Sequence, residues 1–239
     1  MRFSRTAAAL AATVLWLAGC AAPEIPFDRG SANDVRTIGI VTPSFPDDAQ
    51  VVLASSVGQT FGLIGALVDA GMQANRDSQF NDALRQRHYS ARDNFVENVA
   101  ATLRAQGFTV ALVPATRGKS DFLARYPTDA EPKVDAYLDL VAAGYGYVAA
   151  GVRSSTPYRP TLAVRARLVS ARDSSVLMQD VVVYNPVGPA APSKAVTIAP
   201  DPAFQFVDFD ALVADPDRAV LGLRTAVEQS AHGIGTLLQ

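Results

Sequence analysis

A strict two-residue alternation in the second half of the chain limits the fold more than any other feature of the sequence. From residue 134 onward, Ala136, Leu138, Leu140 and Ala142 alternate with Tyr137, Asp139 and Val141. Successive side chains of a strand point to opposite faces, so the first set addresses a core and the second addresses solvent or another layer. Leu162, Val164, Ala166 and Leu168 repeat the pattern against Thr161, Ala163, Arg165 and Arg167. After a turn-forming stretch from Ser170 to Ser175, the β-rich run from Val176 to Tyr184 supplies a partner. The last two segments predict an antiparallel hairpin, and the three together a meander. A helix over 134–143 is the alternative, and the four alternating pairs favour the strand.

Helical spacing appears on either side of this block. Over residues 90–106, Phe95, Val96, Val99 and Leu103 fall on one helix face. Ser90 is a good N-cap, with Asp93 where a capping box places its acidic partner, and Gly107 is the expected C-cap. Phe108–Val113 then predicts a strand that ends at Pro114, and Arg36–Thr42 predicts an earlier one, stopped by Pro43 and Pro46. Strand, helix and strand suggest a crossover unit, carrying a long insertion at 47–89. Asp215-Pro216 opens a C-terminal helix, and Val220, Leu223, Val227, Ala231, Ile234 and Leu238 form its docking stripe. Five prolines mark 185–208 as a long irregular loop. The expected fold is a single α/β (α+β) domain over 36–239. It has a mixed sheet of about five strands with an antiparallel meander, helices packed on it and a C-terminal helix.

The apolar, glycine-rich insertion at 49–74 is unusual. No charge occurs between Asp48 and Asp69, and on a helix Gly58, Gly62 and Gly65 share one face. Glycine costs a helix about 0.8–1.0 kcal/mol relative to alanine, so three on one stripe call for a compensating contact. Three readings stay open: a buried helix against the domain, self-association through the glycine face, and insertion into a membrane.

The N-terminus is an address. Arg2 and Arg5 precede an apolar run from Ala7 to Ala18, too short to span a bilayer, and small residues follow. Leu17-Ala18-Gly19-Cys20 resembles the lipobox of bacterial lipoprotein signals at all four positions. That resemblance implies removal of residues 1–19, lipidation of Cys20 and anchoring to a membrane. Cys20 is the sole cysteine, so no internal disulfide is possible and acylation removes a hazardous thiol. Ala21 stands where an aspartate retains many lipoproteins at the inner membrane, which suggests the periplasmic face of the outer membrane. Residues 20–35, with Pro23, Pro26 and Gly30, read as a lipidated tether.

Charge and motifs narrow the function classes. Without Arg2 and Arg5 the chain has 19 basic residues against 23 acidic ones and no basic cluster, so nucleic acid is not an expected partner. His88 and His232 are the only histidines, and they form no metal-binding pair. No G-x-S-x-G elbow, S-x-x-K or P-loop occurs, and no cofactor is expected. Asp135 and Asp139 share one strand face about 13 Å apart, too far for a carboxylate pair, and read as a solvated face. Tyr137, Tyr145, Tyr147 and Tyr158 cluster on the meander with Tyr184, either as a partner-binding surface or as cover for sheet edges.

The order of elements resembles periplasmic lipoprotein domains of the curli-secretion and penicillin-binding-protein-activator type, and Tyr158-Arg159-Pro160 resembles a segment of uncharacterised envelope lipoproteins. Neither resemblance carries a functional residue over. The expected function is a non-enzymatic binding or scaffold protein of the envelope, acting on a periplasmic or outer-membrane protein. The alternatives are an oligomeric assembly or secretion component, associating through 49–74, and an unrecognised hydrolase.

Overall fold

A computed structural model of the chain describes residues 24–30, 32–53, 70–117, 121–128, 131–150, 156–187 and 195–239. Cys20, Gly58, Gly62 and Gly65 lie outside the described residues, as does most of the insertion. The described part is one mixed α/β domain. In chain order it contains β1 (Thr37–Val41), β2 (Gln50–Leu53), α1 (Ala70–Arg85), α2 (Ala91–Ala105), β3 (Thr109–Val113), β4 (Ala136–Ala149), β5 (Arg159–Ser170), β6 (Val176–Tyr184), β7 (Val196–Ile198), a 3-10 turn (Pro202–Phe204), α3 (Phe209–Ala214) and α4 (Pro216–Thr236).

All seven strands form one sheet in the order β3-β1-β4-β5-β6-β7, with β2 also paired to β4. The expected parts are present. β1 and β3 are parallel neighbours joined through α2, and β4, β5 and β6 form the antiparallel meander. The two additional strands, β2 and β7, have four and three residues, too short for an alternation to be read. β1 and β2 both run parallel to β4 along the same edge. Ile40 pairs with Leu138, Ser44 bridges Val141, and Gln50 pairs with Gly146. They are two pieces of one interrupted strand, broken where Pro43 and Pro46 cannot donate to the ladder.

The helix ends follow their sequence signals. The Ser90 side chain accepts from the Asp93 amide at 3.3 Å. At the other end Gln106 is the C-cap and Gly107 follows it with φ +91°. Phe108 N–H reaches Leu103 O at 3.1 Å and Gly107 N–H reaches Arg104 O at 3.0 Å, the paired bonds of a Schellman motif. Asp215 caps α4 by accepting from the Arg218 amide, and Val220, Leu223, Val227, Ala231, Ile234 and Leu238 are all buried.

The sheet is covered on both faces. Ala136, Leu138, Leu140 and Ala142 join Leu162, Val164, Ala166 and Leu168 in the main core under α2 and α4. The alternate set meets a second layer, where Val41, Val113 and Tyr137 pack against Ala115, Leu123, Tyr126 and Val134 from the segment between β3 and β4.

Two segments differ from expectation. Residues 24–35 are not a free tether. Ile25 exchanges two 2.8 Å backbone bonds with Gln179 of β6, Arg29 donates to Leu238 O at 3.1 Å, and Ala32 and Val35 are buried. The reason is local: β6 leaves an open edge beside Gln179, and Ile25, Phe27, Ala32 and Val35 supply apolar surface despite the turn-forming residues between them. The Pro-rich loop 185–208 likewise contains β7 and the 3-10 turn, and Phe206 pairs with Tyr158.

Gly146 is required by the strand junction. Its φ is +146°, and a Cβ there would overlap the Gln50 carbonyl of β2. Gly146→Ala is expected to lower stability by about 1–3 kcal/mol, the usual range for overpacking a filled site. A shifted urea midpoint at unchanged slope would show it, and a wild-type midpoint would contradict this account of the junction.

Candidate functional site

The four tyrosines proposed as a contact surface are inside the protein. Tyr137, Tyr145, Tyr147 and Tyr158 are each at most 5% exposed. The cause is the double layering: rings on either face of β4 meet a covering layer, not water. Tyr147 faces α4, where its hydroxyl donates to Ala219 O at 3.1 Å, and its ring meets Phe80 and Phe206 edge-on. Gly222 makes room for that hydroxyl, since a Cβ would collide with it. On the opposite face Tyr137 donates to Pro127 O and stacks on Tyr126, with centroids 5.5 Å apart. Tyr145 packs against Phe45 at 5.1 Å. Burial raises the pKa of Tyr89, Tyr126, Tyr145, Tyr147, Tyr158 and Tyr184 above the ordinary phenol value. A buried phenolate lacks hydration, so the neutral form is favoured.

Asp139 also departs from the solvated role expected for it. It is fully buried and paired with Arg117, whose side chain is only 10% exposed. The same carboxylate accepts from the Leu123 amide at 2.7 Å and from the Tyr126 hydroxyl at 3.1 Å. Arg117 also donates to Thr42 O and Asp121 O. Phe122 lies under the Arg167 guanidinium at 4.0 Å and the Arg165 guanidinium at 4.9 Å. These bonds latch the segment after β3 onto the sheet. Asp135, at the start of β4, accepts from the Arg36 and Thr37 amides instead.

An open cleft among the described residues combines charge, hydrogen-bonding groups and aromatic surface. It lies where the break between β1 and β2 faces the junction of α1 and α2, and its volume is about 310 Å³. Three α1 side chains at i, i+4, i+8 spacing fix its outer wall. Asp77 accepts from the Val51 amide at 2.7 Å, and Asn81 exchanges two 2.8 Å bonds with the backbone of Ala49. Arg85 pairs with Asp48 at 3.3 Å. One stripe of a helix therefore satisfies main-chain groups that a neighbouring strand would otherwise take. From α2, Arg92 pairs with Asp47 and donates to Phe45 O at 3.1 Å. Tyr145 and Tyr89 line the inner wall. The Tyr89 hydroxyl is buried without a hydrogen-bond partner, and Arg224 lies 5.4 Å from its ring centroid.

This arrangement offers neutral phenol donors and guanidinium–carboxylate pairs, which suit a polar ligand or a polar protein loop. Its phenols are too weakly acidic to serve as bases near neutral pH. His88 and His232 are both exposed and far apart in sequence, and no group of three metal-ligating side chains occurs among the described residues. The Asp77–Asn81–Arg85 stripe was present in the sequence as a polar face four residues apart. Its meaning depended on the backbone it faces.

No protein-family model matches the sequence, and no curated protein matches it. Among solved structures, the chain is similar to a protein from Xanthomonas campestris assigned to the family model DUF330, with 13% identity, 84% of this chain and 81% of that chain covered, and a TM-score of 0.40. It is also similar to a putative neuraminyllactose-binding hemagglutinin homolog from Helicobacter pylori, with 8% identity, 84% and 79% coverage, and a TM-score of 0.29.

Two measurements test these environments. Asp139→Ala leaves Arg117 as an uncompensated buried charge, and a loss of about 3–5 kcal/mol in unfolding free energy is expected; a loss below 1 kcal/mol would mean that the latch does not hold. The raised tyrosine pKa values set the second. Below the unfolded-state value of about 10 their contribution is complete, and it is lost as pH rises through the folded values, because the unfolded chain releases these protons first. Absorbance titration at 295 nm should show most phenols ionising together with unfolding above pH 10. Gradual ionisation of a folded protein would contradict it.

Proposed function

We propose that the protein is a lipid-anchored, non-enzymatic binding protein of the bacterial envelope, held through Cys20 and presenting the cleft between the β1–β2 break and the α1–α2 junction to its partner. The cleft carries the binding half of this reading. It gathers Tyr89, whose hydroxyl is buried and unpartnered, into one lining with Arg85, Asp48, Arg92 and Asp47. An unpaired buried hydroxyl costs about 1–3 kcal/mol, a penalty that a ligand supplying an acceptor would relieve. The lipobox supports the address, and Ala21 supports outer-membrane sorting. The cleft takes over the role first expected of Tyr137, Tyr147 and Tyr158, while Tyr145 lines its inner wall. Paired carboxylates and neutral phenols support binding over hydrolysis.

In cells making the full chain, a photo-crosslinking residue at Arg85 should trap one discrete partner in the membrane fraction. Cys20→Ser should leave an unprocessed or soluble product that no longer fractionates with membranes. A C20S protein that is processed and sedimented like wild type would remove the anchor. Crosslinking no stronger at Arg85 than at exposed Arg172 on the β5–β6 turn would remove the cleft.

A further inference from the structure

Among the described residues, no strand pairs with the outer edge of β3. Thr109 N–H bonds Arg36 O at 2.9 Å and Thr42 N–H bonds Val113 O at 3.1 Å. In the parallel register of β1 and β3, these bonds turn the main-chain groups of Thr109, Ala111 and Val113 toward β1. The N–H and C=O groups of Val110 and Leu112 therefore point away from the sheet. No described residue bonds them. Leu112 is 59% exposed, one of the most exposed large apolar side chains described.

Natural edges of this kind are usually protected by a lysine, an inward charge, a proline or a bulge. β3 has none of these within Thr109–Val113, and no charge occurs anywhere from Ala105 to Thr116. The segment does not repel a like copy, and its pattern is the same read in either direction. Ala111 lies at its centre, flanked by apolar Val110 and Leu112 and then by β-branched Thr109 and Val113.

We propose that two copies of this chain pair antiparallel through β3, about a two-fold axis at Ala111, joining their sheets into one. In that register Val110 faces Leu112 of the second copy and the two residues exchange both main-chain bonds, four bonds in all across the axis. Ala111 meets its counterpart in the non-hydrogen-bonded pair, where backbones come closest, at about 4.5 Å between Cα atoms, and a small side chain fits. Leu112 of each copy gains cover from Val110 of the other. A two-fold contact closes on itself and consumes the β3 edges. A five-residue strand pair buries less than the roughly 1,000 Å² of a stable interface, so the dimer is weak and concentration-dependent. This interface involves neither the cleft nor Cys20.

The test uses the full chain. Sedimentation of wild type should show a reversible monomer–dimer equilibrium, and Leu112→Lys should weaken it at least tenfold with an unchanged circular dichroism spectrum. Register is read by oxidising cysteine variants. An equimolar mixture of Val110→Cys and Leu112→Cys places facing thiols within disulfide reach, since facing residues of a hydrogen-bonded pair lie about 5.5 Å apart. Each variant alone offers only diagonal positions and should cross-link far less. A monomer at every concentration, a Leu112→Lys protein as dimeric as wild type, or a mixture that cross-links no better than its components overturns the proposal. Wild type oxidised in parallel reports on Cys20: a disulfide dimer there would count against the lipid anchor and leave the β3 comparison intact.

Discussion

β4 has hydrogen-bonded neighbours on both edges and packed layers on both faces, and this fourfold contact sets the position of almost everything else. β1 and β2 share one edge of it in series, and β5 occupies the other for nearly its whole length. Its inward residues build the helix-side core, and its outward residues hold the segment between β3 and β4. A strand buried on both faces must still satisfy any polar group it carries. Asp139 does so with an arginine, an amide and a phenol, and that requirement orders the segment opposite it.

The regular elements could be read in the sequence because their signals are local. A capping serine with a glycine stop located α2, the Asp-Pro start located α4, and period-two alternation located the meander. What lay beyond reach depended on the second layer. Alternation shows that Tyr137 and Asp139 point away from the main core, but not whether a loop or water meets them. The covering segment has no periodicity of its own, so the alternation leaves solvent and a second layer equally open for both residues. The same limit applied to Tyr145 and Tyr147, whose burial depends on Phe45, Phe80 and α4. β2 went unread because four residues beside a proline-broken turn carry too little pattern.

The cleft and the latch occupy different parts of the sheet and use polar residues differently. The latch gathers its charges around one buried carboxylate. The cleft keeps its ion pairs at an open rim, and the hydroxyl of its lining residue Tyr89 is left without a partner. Exposed pairs such as Arg85–Asp48 contribute little to stability in water, so exchanging them for a ligand's groups costs little. The Asp77 and Asn81 bonds to the backbone at 49–51 keep that wall in place while the rim exchanges partners.

The docking of residues 24–35 governs how the domain bears tension applied at its N-terminal segment. A pull applied ahead of Ile25 does not enter the domain at β1. It reaches Ile25 on the edge of β6 first, and then Arg29, which grips the last turn of the chain at Leu238. The two contacts divide the load between the outer sheet and the end of α4, so this end can peel away from β6 before β1 and β4 are pulled apart.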